Sequence, residues 1–214
     1  MRAWYREYWG QTWYKNTFLV GKPKQIGQAC GSAREWNNID GSGCNFTCLA
    51  IIIGIDPARL ASELSSQKNY FSADRDQKLK AKYVTGKIAG LVWDQNKPHE
   101  RLRSVKVKNI WHNHHMRRVS FELIFIGVFS TTSPEEGNKF VRSARGRGNH
   151  IICGTQDHSH LVAGSIDGEF YLWDPDESET KVEKSLGGKI RLIDLFKKNK
   201  NVQIEFWEYM CNVA

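Results

Sequence analysis

One cysteine stands where the sequence predicts the start of a helix. Cys44 follows a Gly-Ser-Gly turn and opens the apolar run CNFTCLAIIIGI, in which Gly54 is predicted to close the helix. Free backbone N–H groups and the positive end of the helix dipole favour a thiolate over a thiol at such a position. The amide of Cys44 can also donate to a developing oxyanion. Cys44 is therefore predicted to be a nucleophile.

A base and its orienting carboxylate are predicted on a hairpin that turns near Asp167-Gly168, in the stretch HSHLVAGSIDGEFYLWDPD. A two-residue loop would place His160 and Asp174 on opposite faces. A three-residue loop, residues 166–168 with a glycine in the left-handed bulge position, sets His160 directly opposite Asp174 on one face. We predict the three-residue loop, because it makes the base and the carboxylate neighbours.

These residue types are the ones that nucleophilic catalysis by a thiol needs. His160 would take the proton of Cys44 and later give it to the leaving amine, while Asp174 would hold the imidazole tautomer. His158 is the competing base, because it lies two residues earlier on the same strand face. Cys48 follows one helical turn after Cys44 and is predicted to be a packed core thiol, with a redox pair or a shared metal site as the alternatives.

The two segments together resemble the papain-like cysteine peptidases of the bacteriocin-leader-processing (double-glycine peptidase) type. GSGCNFTCLAIIIGIDPARL resembles the nucleophile helix of that family, and NHIICGTQDHSHLVAGSIDGEFYLWDPD resembles its strand pair that carries the His and the Asp. The resemblance implies a stand-alone papain-like catalytic domain without cofactor or metal. It implies Cys44 as nucleophile, His160 as base and Asp174 as orienting acid.

The resemblance also implies an oxyanion-hole side chain upstream of the nucleophile, where family members usually have a Gln. Gln28 is the candidate here, and the alternatives are Gln25, Asn37 and Asn38. Nothing in the sequence resembles the transporter domains to which leader-processing members are fused, so leader processing is not expected.

The predicted architecture is α+β, with one domain over residues 1–214 and the nucleophile helix in the N-terminal half. A second short helix is predicted with Asp56 as N-cap and Pro57 as its first residue. Residues 1–26 are predicted to be an aromatic and basic extension that covers the core, with a sugar- or base-stacking platform as the alternative. Segments rich in β-branched and aromatic residues in the C-terminal half predict a mainly antiparallel sheet: SFELIFIGVFS, HIICGT, HLVAGSI, EFYLWDP and VQIEFWEYM.

Composition and charge narrow the class of protein. The 214 residues are 40% hydrophobic and 25% charged, which excludes disordered and collagen-like chains. The five cysteines form no evident disulfide framework, so reduced thiols are expected. No apolar run approaches the roughly 20 residues of a membrane span, and the N-terminus lacks the apolar core of a secretory signal. We expect synthesis in the cytoplasm, with export by a secretion system or release during phage lysis if the protein acts outside.

Basic residues and histidines add three weaker signals. The net charge is +8, and basic residues are frequent from Lys78 to Arg118, which predicts a solvated face or a contact surface for a polyanion. The histidines of residues 111–115 are expected on a surface loop rather than at a metal site, because no acidic or Cys partner lies nearby. Arg145-Gly146-Arg147-Gly148 is predicted to be a polar loop rather than a nucleic-acid motif.

The predicted function is a cysteine hydrolase that cleaves a peptide or isopeptide amide. Bacterial cell-wall peptide is the leading substrate, since the positive charge suits an anionic polymer and the fold is used in this way elsewhere. An immunity or inhibitor protein is a candidate partner. The first alternative is an effector protease or glutamine deamidase that acts on a host protein. The alternative from another class is a basic nucleic-acid-binding module without catalysis, although nucleic acid is not the expected partner.

Overall fold

The computed structural model describes residues 2–10, 14, 44–60, 104–112, 115–155, 159–175 and 190–214. The helices within these segments are α1 (Cys44–Ile53), α2 (residues 57–60), α3 (Pro134–Gly146) and α4 (Leu192–Lys198). The strands are β1 (Arg2–Ala3), β2 (Ser104–His112), β3 (Arg117–Thr131), β4 (His150–Gly154), β5 (Ser159–Ile166), β6 (Glu169–Trp173), β7 (Ile190–Arg191) and β8 (Ile204–Val213).

The strands form one antiparallel sheet. Seven of them follow the order β2-β3-β8-β4-β5-β6-β7, and β1 pairs with β5. The predicted α+β class with a mainly antiparallel sheet is therefore confirmed. Besides the strands predicted there, the C-terminal half contains the helices α3 and α4.

Helices cover both faces of the sheet. Successive strand side chains point to opposite sides, so each face has its own set of core residues. The first face packs against α1 and presents the side chains of Ile152, Leu161, Trp173, Trp207 and Tyr209. The second face packs against α3 and α4 and presents Cys153, Val162, Leu172 and Phe206. None of the helices in the described segments is long and apolar enough to cross a membrane.

Helix α1 ends at Gly54, as the sequence predicts. Gly54 has a φ of 80°, and the amides of Gly54 and Ile55 both donate to the carbonyl of Ala50. Nε2 of His112 donates to the carbonyl of Ile53 at 2.8 Å, and the His112 residue is only 3% exposed. The expected surface loop of histidines is therefore wrong for His112, whose ring satisfies a carbonyl at the end of α1.

Asp56 caps the next helical turn, which confirms a second local prediction. Its Oδ1 accepts a hydrogen bond from the amide of Arg59 at 3.0 Å, and the helical residues begin at Pro57. Its Oδ2 accepts from the hydroxyl of Tyr14 at 2.6 Å. The side chain of Tyr14 thereby ties the N-terminal extension to the segment that follows α1.

The described part of the N-terminal extension packs on the core, as predicted. Trp9 is 8% exposed, and the ring of Tyr8 lies 4.8 Å from that of Trp173. The guanidinium of Arg145 lies 4.2 Å from the ring centroid of Trp4, as in a cation–π contact. These rings are used within the molecule, which argues against a stacking platform for a sugar or base.

Tyr5 anchors the same segment to His150 on β4. Its hydroxyl donates to Nδ1 of His150 at 3.0 Å, and Nη1 of Arg145 lies 3.4 Å from that nitrogen. Burial and the positive charge of Arg145 lower the pKa of His150 from 6.5 to about 4. His150 is therefore neutral in the folded protein near pH 7.

The free energy of unfolding is expected to fall as the pH falls from about 6.5 to about 4. In that window the unfolded chain binds a proton at His150 and the folded chain does not, since the folded pKa is about 4. The expected contribution is about 3 kcal/mol, measured by urea unfolding at several pH values. His150→Gln should flatten the slope, whereas the control His115→Gln, at an exposed position, should not. Equal slopes for wild type and His150→Gln would contradict this account.

Candidate active site

Cys44 is the first residue of α1, where the structure brings its thiol against the start of β5. The backbone amide and the hydroxyl of Ser159 and the amide of Asn45 lie close enough to the sulfur to lower the pKa of its thiol. Nδ2 of Asn45 also donates to the hydroxyl oxygen of Ser159 at 3.3 Å. Ser159 directly precedes His160, so the predicted nucleophile contacts the chain neighbour of the predicted base.

The β5–β6 hairpin turns differently from the prediction. Ile166 pairs with Glu169, so the loop has two residues, Asp167 and Gly168, with φ of 49° and 85°. Both positive values are those of the tight turn that matches strand twist. The predicted three-residue loop is therefore wrong.

A β-bulge further along the hairpin restores the pairing that the wrong loop was meant to supply. The register shifts between Val162 and Gly164, so that Ala163 is the extra residue of β5. Beyond the shift, Leu161 pairs with Trp173, and the next position along each strand is His160 and Asp174. Nδ1 of His160 lies 3.8 Å from Oδ1 of Asp174, and their side chains are 10% and 23% exposed. The two predicted partners are thus neighbours, at ion-pair distance.

The strand pairing also determines on which face His160 leaves the sheet. Its partner on β4 is Cys153, which packs on the second face with Val162. Ser159, the preceding residue, contacts the helix side through Asn45. His160 therefore follows Ser159 directly in the chain but leaves β5 on the opposite face of the sheet, the face of Cys153.

The electrostatics of Cys44 differ from the expectation for a helix start. Burial raises the pKa of its thiol above the usual value, and the hydrogen bonds from Ser159 and Asn45 lower it by less. The negative charge of Asp174 adds to the rise. The predicted thiolate is therefore not the resting form near pH 7, and the residue needs a base to react.

Cys48 is a packed core thiol, as predicted. It is fully buried, and burial raises its pKa well above the usual value. Burial also raises the pKa of Cys153, and it raises that of Cys211 to about 12. Cys44, Cys48, Cys153 and Cys211 all carry free thiols. The described residues contain no group of three or more side chains suited to hold a metal ion.

The Arg145–Gly148 segment ends α3 and forms the turn after it, rather than the predicted loop. Nη1 of Arg145 donates to the carbonyl of Asn149 at 2.8 Å. Arg147 pairs with Glu208 at 2.8 Å. Both arginines bind partners within the protein, which weakens the interpretation of this motif as a nucleic-acid contact.

Several predicted candidates lie outside the described residues. They are the oxyanion candidate Gln28, its alternatives Gln25, Asn37 and Asn38, the competing base His158, and the Lys78–Arg103 part of the basic stretch. Ser159 and Asn45, whose side chains contact each other beside the thiol, were not predicted from the sequence. The one sequence feature that could have indicated their role is that they adjoin the predicted base and the predicted nucleophile in the chain.

No family model, curated protein or solved structure matches this chain.

Ser159→Ala is expected to slow the alkylation of Cys44 by iodoacetamide at pH 8 about three- to tenfold, because the lost hydroxyl hydrogen bond stabilises the thiolate. Its loss should raise the thiol pKa further, so less thiolate is present at a given pH. Peptide mapping by mass spectrometry would follow the rate at Cys44. The matched control is Ser165→Ala, farther along β5 and paired with Arg2 and Phe170. Equal Cys44 rates in the two variants would contradict the role of Ser159.

Proposed function

We propose that this chain is a cysteine hydrolase of papain-like type that cleaves a peptide or isopeptide amide through an acyl-thioenzyme. The observation that carries the proposal is the His160–Asp174 pair at ion-pair distance, on a strand whose first residue lies beside the thiol of Cys44. The thiol at the first residue of α1 contacts Ser159, the chain neighbour of His160, and His160 lies 3.8 Å from Asp174. A thiol, an imidazole and a carboxylate are the groups of a nucleophilic triad.

The proposed reaction begins from a neutral thiol. The imidazole of His160 turns past Ser159 and takes the proton of Cys44, while the sulfur attacks the carbonyl carbon of the substrate amide. The C–N bond then breaks as the imidazolium gives its proton to the leaving amine. Water, deprotonated by the same imidazole, attacks the thioester, and the carboxylic acid product leaves as the thiol is restored. Asp174 stabilises the imidazolium in both steps.

We propose an anionic polymer that contains peptide, with bacterial cell-wall peptide first, as the substrate class. The support is the +8 net charge together with exposed basic side chains on the hairpin of β2 and β3, which are Lys108, Arg117 and Arg118. Such an enzyme would have to reach the wall by a secretion system or during lysis. The nucleic-acid alternative gains no specific support, since Arg145 and Arg147 bind within the molecule.

A thiol-directed irreversible inhibitor is expected to label Cys44 ahead of the other four cysteines at pH 7. His160→Ala should slow this labelling at least about a hundredfold, because proton removal by the imidazole is lost. The control His115→Ala removes an exposed histidine and should label at the wild-type rate. Preferential labelling of another cysteine, or unchanged labelling in His160→Ala, would contradict the proposed triad.

The substrate class is tested separately with purified peptidoglycan. Wild-type protein should release peptide fragments that Cys44→Ala does not release, as read by mass spectrometry. Treatment of a host lysate separates the alternatives, because cleavage makes new termini whereas deamidation adds about one mass unit, as follows from replacing an amide by a carboxylate. Binding to nucleic acid that falls steeply with salt and survives Cys44→Ala, without labelling of Cys44, would support the non-catalytic alternative instead.

A further inference from the structure

We infer that Tyr8 is a positioning residue whose hydroxyl holds the bulge at Ala163 and thereby sets His160 opposite Asp174. The catalytic meaning of this role rests on the proposed function. The effect of Tyr8 on the alignment of His160 with Asp174 does not depend on that function, because the two side chains are neighbours in the protein without substrate.

The register of the hairpin shows why the bulge matters. From the two-residue turn up to Gly164, the strands pair so that Gly164 faces Tyr171. Continued without a shift, that register would set Leu161 opposite Asp174 and His160 opposite Pro175. The extra residue at Ala163 moves the partner by one position, and the His160 and Asp174 side chains then lie 3.8 Å apart.

The carbonyl of the bulged residue is held by the N-terminal segment. The backbone amide of Trp4 donates to the Ala163 oxygen at 2.9 Å, and the hydroxyl of Tyr8 donates to the same oxygen at 3.0 Å. The amide of Tyr5 lies 3.4 Å from the Tyr8 hydroxyl and donates to it. Two donors from residues far away in the sequence therefore satisfy a carbonyl at the place where the ladder is interrupted.

The same segment also holds the other side of the hairpin. The indole of Trp173 donates to the carbonyl of Trp9 at 3.0 Å, and the ring of Tyr8 packs 4.8 Å from the ring of Trp173. Trp173 pairs with Leu161 and directly precedes Asp174. Tyr8 thus contacts both strands, at the bulge on β5 and at the end of β6.

The titration of His160 reports this alignment without any assay of hydrolysis. The described groups near the imidazole include the Asp174 carboxyl at 3.8 Å and the thiol of Cys153 on the paired strand, and the thiol of Cys44 lies beside Ser159, the preceding residue. Burial raises the pKa values of both thiols, so they are neutral near pH 7. A change in the distance to the carboxylate should therefore change the His160 titration, whereas these two thiols carry no charge that could do so.

The experiment is an NMR titration of the His160 ring in wild type, Tyr8→Phe, Tyr14→Phe and Asp174→Asn. Tyr8→Phe removes the hydroxyl and keeps the ring on Trp173, while Tyr14→Phe makes the same change where the hydroxyl bonds to Asp56. We expect Tyr8→Phe to lower the pKa of His160 by about one unit, a tenfold change in its protonation equilibrium, in the direction of Asp174→Asn. Tyr14→Phe should titrate as wild type does.

The inference is overturned if Tyr8→Phe titrates as wild type does, or if Tyr14→Phe shifts the curve as much as Tyr8→Phe. It is also overturned if Asp174→Asn leaves the titration unchanged, since the alignment would then have no electrostatic effect. Should Tyr8→Phe not fold, Trp173→Phe tests the attachment of the same N-terminal segment by removing the hydrogen bond to the Trp9 carbonyl, with the same expected direction. Failure of Cys44 labelling with a normal Tyr8 effect would reject the hydrolase and leave the positioning role standing.

Discussion

One extra residue in β5 determines where the two strands of the β5–β6 hairpin meet at their open end. The Asp167-Gly168 turn fixes the register near the tip, and that register alone would set Leu161 opposite Asp174. The side chain of Leu161 packs with α1 in the first core cluster. An aspartate in register with it would face the same apolar layer, where an unpaired carboxylate costs several kcal/mol, on the order of the penalty for burying a charge. The shift at Ala163 brings Trp173 into that layer and leaves the carboxylate beside an imidazole.

The bulge also shows which part of the site the sequence could not reveal. The turn at Asp167-Gly168 could be located because the residue types that adopt positive φ are few. The bulge depends on a carbonyl that accepts from Trp4 and Tyr8, more than 150 residues earlier in the chain, and no local pattern encodes such a contact. The neighbourhood of His160 and Asp174 was therefore predicted correctly from an incorrect loop.

Other features of the fold also differ in whether they follow from the local sequence or from contacts between distant residues. The C-terminal end of α1 at Gly54 and the cap at Asp56 follow from local rules, and the structure has them where the sequence predicts. The start of α3 could have been predicted by the same rules. Ser133 is the N-cap and accepts a hydrogen bond from the amide of Glu136, and a proline follows Ser133 directly. The burial of His112 could not be predicted from the local sequence, because its hydrogen-bond partner is the carbonyl of Ile53, far away in the sequence.

Two opposing effects act on the thiol of Cys44, and their sizes decide its resting state. The field of a helix N-terminus stabilises a negative charge by about 0.3–1 kcal/mol in exposed settings, and up to about 2 kcal/mol when partly buried. Removing a charge from water costs several kcal/mol, on the order of the effective penalty in proteins. The cost of burial is the larger effect, so the pKa of the Cys44 thiol is raised despite the donors at Ser159 and Asn45. A thiol held neutral in this way resists oxidation and alkylation until a base takes its proton. Reactivity at this helix start therefore depends on a base that can reach the thiol rather than on the helix dipole.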